Sequence, residues 1–273
     1  MKPNISLLAV LFALLLVATG KAFAQERLCD TAFEDCRTPL WTLIDNETVG
    51  IDVAFWFMQD TSFSNKLIAR HNAGVPVRVL VDPRAPNAGN AQILEQLRAA
   101  GIPMRFKLNA GILHWKMMLF AGQNKVEFMG GNFSADFFVP QQTFIKYIDE
   151  AVYFTDDTSL VQSFKTKYDD HWIDTIRYGN FGNINGPLVR RYPIFPINPE
   201  LNFPFTADGS QDFFNRTQVN LNQETQKIDI IMYRITNQRF TDTTLAAVNR
   251  GIPVRLLHEP NEYRNPARQW DAW

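Results

Sequence analysis

The sequence predicts an α/β sandwich on a largely parallel or mixed sheet. Two observations carry the prediction. Short β-type runs alternate with helical stretches, and one strand–helix–strand unit occurs twice. The first run is an alternation of Val49, Ile51, Val53, Phe55 and Phe57, the period-2 pattern of a strand. A helix follows and stops at Gly74, where glycine can take the left-handed conformation past a helix end. Val75 to Val81 forms the second strand and ends at Asp82-Pro83. The next helix spans Ala91–Ala100, with Ile93, Leu94 and Leu97 facing inward, and "IPMRF" after Gly101 is a further strand. Strands separated by helices favour right-handed crossovers that pack the helices on the sheet. Downstream, Ile148–Phe154 reads as a strand, and Asp156 or Asp157 caps the helix after it. That helix shows an apolar stripe of Leu160, Phe164, Tyr168 and Trp172.

The repeat is gapless. "IDVAFWFMQDTSFSNKLIARHNAGVPVRVLVDP" from Ile51 aligns with "IDIIMYRITNQRFTDTTLAAVNRGIPVRLLHEP" from Ile228, an offset of 228 − 51 = 177. Asp52 pairs with Asp229, Phe63 with Phe240, Gly74 with Gly251, Arg78 with Arg255 and Pro83 with Pro260. Between the copies lies "NGPLVRRYPIFPINPELNFPF", whose Pro187, Pro193, Pro196, Pro199 and Pro204 forbid regular helix. The expected organisation is therefore a first half over 25–185, an extended proline-rich linker over 186–206 and the start of a second half over 207–273. A single domain crossed by a long loop is the alternative.

Composition is that of a globular chain, 46% hydrophobic and 20% charged over 273 residues. A formal net charge of −1 weighs against a protein that coats nucleic acid, which would carry a basic excess. At the N-terminus, Lys2, the apolar run Leu7–Ala18 and the small-x-small pattern Ala22-Phe23-Ala24 read as a signal peptide, residues 1–24, cut after Ala24. The run is shorter than the roughly 18 apolar residues of a membrane span, so export to the periplasm or beyond is expected over an uncleaved anchor. Cys29 and Cys36 are the only cysteines. In an oxidising compartment they could close a small loop, with two free thiols as the alternative.

The chemistry centres on "LHWKMMLFAGQNKVEFMGGNFS", Leu113 to Ser134. In a strand, residues two apart share a face, so His114 and Lys116 project together and Trp115 points the other way. A histidine can attack phosphorus or protonate a leaving oxygen. A lysine supplies fixed charge for phosphoryl oxygens. The Met129-Gly130-Gly131-Asn132 turn lets backbone approach closely, and Asn132 adds a neutral donor. A His-x-Lys pair alone fits a partly exposed strand edge as well as a site.

The surrounding order adds to the pair. The βαβ-α-β array, "HWKMMLF", "VEFMGGNFS", "YIDEAVYFTDD" and the helix ending in Trp172 together resemble the phospholipase D superfamily. Its signature is HxK(x)4D followed by a GSxN-like turn. The resemblance implies a phospholipase D-like αβα sandwich with its first half complete and its second half partial. It assigns His114 and Lys116 to the motif, Asn132 to the turn, and Glu150 to the downstream acid that orients the imidazole. It implies an exported phosphodiesterase with a phosphohistidine intermediate resolved by water or an alcohol. Two positions depart from the pattern. The motif aspartate falls at Ala121, and the turn serine at Gly130 with one residue inserted before it.

Family enzymes use two such motifs. The repeat offset puts the partner of His114 at 114 + 177 = 291, past Trp273, so an incomplete second half is expected. Next comes a homodimer that pairs two copies of His114. The remaining histidines look ordinary: His71 near a helix C-terminus, His171 beside Trp172, and His258 at a strand end facing the expected cleft. No spacing suits a metal and no glycine-rich loop opens a helix, so no cofactor or metal is expected. Near-neutral charge and 22 phenylalanines favour a phospholipid substrate over nucleic acid. The competing function is a non-catalytic, phosphate-binding module of the same fold.

Overall fold

The structure is a computed structural model that describes residues 25–85, 88–108, 111–142, 145, 147–201 and 213–264. The expected signal peptide, 1–24, lies outside the described residues. The chain forms two compact units, Met1–Ile197 and Asn198–Trp273.

In the first unit, β1 (Glu26–Asp30) and α1 (Arg37–Asn46) precede β2 (Ile51–Phe55), α2 (Thr61–Asn72), β3 (Val77–Val81), α3 (Ala88–Ala99) and β4 (Met104–Lys107). Then come β5 (Lys116–Phe120), β6 (Lys125–Met129), β7 (Ala151–Thr155), α4 (Thr158–Ile173) and β8 (Tyr178–Gly182). The sheet runs β1-β7-β6-β5-β2-β3-β4-β8. β2, β3 and β4 are parallel, joined by the helical crossovers the sequence predicts, and the remaining pairs are antiparallel. The helix starts follow from local chemistry. The Asp60 carboxylate accepts the Ser62 amide at 2.9 Å and Asp157 accepts the Leu160 amide at 2.8 Å, each satisfying an orphan donor of the first turn.

Both faces of the sheet are covered, which is why β2, β3 and β5 are buried at every position. One face is apolar. Ile51, Val53, Phe55, Met118 and Phe120 pack with Leu40 and Ile44 of α1, Phe63 and Leu67 of α2, and Ile93, Leu94 and Leu97 of α3. The opposite face holds a buried ionic network. Arg78 donates to both Asp52 oxygens at 2.7 and 2.8 Å and to Asp169 of α4 at 2.7 Å. Its guanidinium lies over the Tyr168 and Trp172 rings. A buried charge survives only when so compensated.

Residues 186–197, the start of the segment expected as a linker, belong to the first unit. Arg191 donates to Asp52 at 2.9 Å, the Tyr192 hydroxyl to Asp52 at 2.7 Å, and the Phe195 amide to Thr166 Oγ1 at 2.8 Å. Prolines bar this stretch from a helix, yet an extended chain still carries donors that complete the network. Cys29 and Cys36 form a disulfide, both sulfur-bearing residues fully buried.

The second unit contains α5 (Phe213–Gln223), β9 (Ile228–Met232), α6 (Gln238–Asn249), β10 (Val254–His258) and α7 (Pro260–Arg264). Its β9 and β10 are parallel, with Ile228 opposite Val254 as Ile51 is opposite Val77. Arg255 grips Asp229 at 2.6 and 2.7 Å, the counterpart of the Arg78–Asp52 pair. Here the arginine side chain is 75% exposed, against 8% for Arg78. The repeat is thus a repeat of structure down to one ion pair.

Candidate active site

β2, β3, β4 and β6 end at one edge of the first unit's sheet, and β5 and β7 begin there. His114 stands two residues before the first turn of ladder pairing in which Lys116 opposes Phe55. The two side chains meet: Lys116 Nζ lies 2.8 Å from His114 Nδ1 and 3.0 Å from Nε2. Trp115 points the other way, against Phe164 and His171 of the α4 side. His114 is exposed and Lys116 is buried, with 2% of its surface accessible. Burial pulls the lysine down to about 8, opposed by the Glu150 charge. Shelter from water and then the Lys116 charge lower the His114 value as well, which favours the neutral imidazole.

Glu150 sits just before β7 and accepts the Ala151 amide at 3.0 Å. A side chain on Gly130 would begin 2.8 Å from Glu150 Oε2, so the carboxylate fills the space where the motif serine would stand. Among the described residues, Glu150 acts on Lys116 through its charge and makes no hydrogen bond to His114. Asn132 belongs to a loop stitched to the end of β2. Phe133 bridges Met58, and the Phe133 carbonyl accepts the Gln59 and Asp60 amides at 2.7 and 3.0 Å. The Asn132 Oδ1 is buried with no hydrogen-bond partner among the described residues, leaving one end of its amide uncommitted.

Gly131 makes this loop fit. A Cβ there would lie 1.9 Å from the buried Phe137 ring. Gly131→Ala is therefore expected to destabilise the protein by about 2 kcal/mol or more, read as a lower denaturant midpoint.

Three groups at the edge were not legible in the sequence. Trp56, just past β2, packs its ring 5.8 Å from that of His114. Asp82, at the end of β3, accepts the Leu113 amide at 3.0 Å and both Nε and Nη2 of Arg84 at 2.8 and 2.6 Å. Arg84 also donates to the Gly111 carbonyl at 2.7 Å. This clamp holds the segment that delivers His114. Burial raises the Asp82 value, but Arg84 and the Leu113 amide outweigh it and keep the carboxylate ionised. The strand-ending Asp82-Pro83 was the available signal. Of the other histidines, His171 is wedged between Trp115 and Tyr178 and lowered by burial to about 4. His258 contacts the Glu259 carbonyl at 3.0 Å in the second unit. No group of three or more His, Cys, Asp or Glu converges as a metal site among the described residues.

Residues 40–172 match the family described as "Cardiolipin synthase, PLD-like domain". No curated protein matches the sequence. Among solved structures, Nuc from Salmonella typhimurium, a phospholipase D family member, is 18% identical with a TM-score of 0.50, covering 58% of this chain and 99% of its own. Phosphatidylserine synthase from Haemophilus influenzae Rd KW20 is 16% identical with a TM-score of 0.62, over 86% of this chain. The match spans 61% of the synthase chain. Polyphosphate kinase from Porphyromonas gingivalis is 14% identical with a TM-score of 0.56, covering 86% of this chain and 35% of its own. At these identities the likeness establishes the fold. Residues 40–172, the stretch that contains His114, Lys116, Asn132 and Glu150, belong on this match to the phospholipase D superfamily.

Proposed function

We propose that this chain cleaves phosphodiesters. The carrying observation is the contact between Lys116 Nζ and the His114 ring at 2.8 and 3.0 Å, at an open sheet edge. A neutral His114 nitrogen attacks phosphorus, and the bond to the leaving alcohol oxygen breaks. Lys116 and the Asn132 amide receive the negative charge gathering on the equatorial oxygens. Water, or an alcohol, then attacks the phosphohistidine and frees the imidazole. The leaving oxygen takes its proton from water, and a second copy supplies the other half of the site, so the working form is a homodimer.

Phospholipid is the substrate, with nucleic acid as the alternative. Ile112 precedes β5 and Ile148 precedes β7, at the end of the sheet that holds His114; they are 54% and 42% exposed. Aliphatic side chains suit a lipid interface, while Trp56 and the 37%-exposed Tyr147 are the rings on which a base of the alternative substrate would stack. The H. influenzae relative is a phosphatidylserine synthase by name. Export, with cleavage after Ala24, puts the enzyme in the periplasm or outside the cell, in keeping with the Cys29–Cys36 bond.

The assay is release of head group from phosphatidylcholine vesicles beside cleavage of single-stranded DNA and of bis(4-nitrophenyl) phosphate. Quenching in alkaline denaturant, in which the acid-labile phosphohistidine survives, should trap phosphate on His114. A second reading, a phosphate-binding module without turnover, draws on Ala121 and on the missing His114–Glu150 bond. It prevails if all three substrates stay intact while phosphate still binds.

The pH dependence follows from the two shifts. Attack needs neutral His114, whose value is lowered, so kcat/KM should fall only below the ordinary histidine range near 6.5. Charge on Lys116 is lost as pH rises through about 8. A bell with its alkaline limb near that value is expected; a limb at the ordinary lysine value would contradict the role.

A further inference from the structure

We infer that Glu47 is a positioning residue that sets the register of β2 against β5, delivering from the α1–β2 turn the carboxylate that position 121 lacks. Glu47 directly follows α1 and is fully buried. Its Oε1 accepts the amides of Thr48, Val49 and Gly50 at 3.1, 2.7 and 3.1 Å, and that of Gly122 at 2.9 Å. Its Oε2 accepts the Gln123 amide at 3.2 Å and the Gln123 Nε2 at 3.3 Å. The donors come from two separate places, the residues entering β2 and the turn leaving β5. Nothing else in the sequence marks residues 48–50 and 122–123 as neighbours.

That corner lies at the end of the sheet opposite His114. It closes the pairing that begins Ile51–Phe120 and ends Phe55–Lys116, and the Ala121 amide bonds the Gly50 carbonyl there at 2.9 Å. Strand register has a period of two, and a slip of one residue turns every side chain to the other face. Such a slip would take Lys116 off the face it shares with Phe55 and part His114 from Trp56. A carboxylate gathering five backbone amides from both strands penalises the slip, because each orphaned buried N–H is costly. The motif position sits at the same corner. An aspartate at 121 could reach the Gln123 amide two residues on, as Asx turns do, so Glu47 and an aspartate at 121 are alternative sources of one anion.

The test is a rescue, and it does not rest on the enzymatic reading. Glu47→Ala, Ala121→Asp and the double variant are compared by thermal midpoint and by the NMR resonance of the His114 ring, which Trp56 shields at 5.8 Å. Glu47→Ala should lower the midpoint by about 8 °C and displace the His114 resonance. Adding Ala121→Asp should recover more than half of both changes. If Glu47→Ala yields no soluble protein, Glu47→Gln, which keeps one acceptor oxygen, replaces it in both arms. A midpoint that Glu47→Ala leaves unchanged, or a double variant no better than the single, overturns the inference. So does a rescued midpoint with an unmoved His114 resonance throughout, which would make Glu47 a stabilising residue with no hold on the site.

Discussion

Replacing His114 by alanine should lower turnover of a soluble phosphodiester by about 10⁴-fold and leave the thermal midpoint within about 2 °C of wild type. The two halves of this expectation have separate causes. The imidazole is the group that forms the bond to phosphorus, and alanine offers no nucleophile in its place. Yet the ring is exposed, and its contacts are to Lys116 and the Trp56 ring. Its loss removes little buried surface and orphans no backbone group. The same variant should fail to trap phosphate after an alkaline quench. Residual turnover near the wild-type level would make His114 a surface residue and remove the enzymatic reading altogether.

Lys116→Met should cost about 10²- to 10³-fold in kcat while the protein becomes no less stable. Here activity and stability move apart because the residue is buried. Taking an ammonium out of water is unfavourable, which is what draws its value down to about 8. The folded state therefore carries a group that would be better solvated in the unfolded chain. Methionine fills a similar volume without the charge. The linkage sign agrees. With the folded value below the unfolded one, the unfolded chain binds more protons between about pH 8 and the ordinary lysine value near 10.4, so wild-type stability should rise across that window. In Lys116→Met that rise should vanish. A drop in midpoint for the methionine variant, with turnover intact, would mean that the ammonium serves packing and not phosphate.

Lys116 also shows how a site can conflict with the fold that holds it. It opens a strand whose other four residues are Met117, Met118, Leu119 and Phe120, all buried. A sequence chosen for stability alone would continue the apolar run. The charge persists at the strand's first position, where the sheet edge lets Nζ reach the exposed imidazole.

Much of this was written in local pattern. The period of two in β5 and the two-residue spacing of His114 and Lys116 decide that they share a face, and the structure brings them together. The helix caps at Asp60 and Asp157 are also local, since a carboxylate can reach amides only two or three residues ahead. The repeat offset of 228 − 51 = 177 carries through to strand register and to the Asp229–Arg255 pair because identical local choices meet identical partners.

What the chain order could not reveal depends on which strands become neighbours. β5 inserts beside β2, and β7 beside β6. Only that arrangement brings Trp56 to His114, turns Glu150 toward Lys116 and the space beside Gly130, and lets Asp82 clamp the Leu113 amide. It also decides that Arg191 and Tyr192 of the proline-rich stretch close over Asp52, and that Glu47 reaches Gly122. Periodicity reports the face a residue takes along its own segment. The partner across the sheet is selected by the burial and hydrogen bonding of the whole unit, so the first could be read from the letters and the second only from the fold.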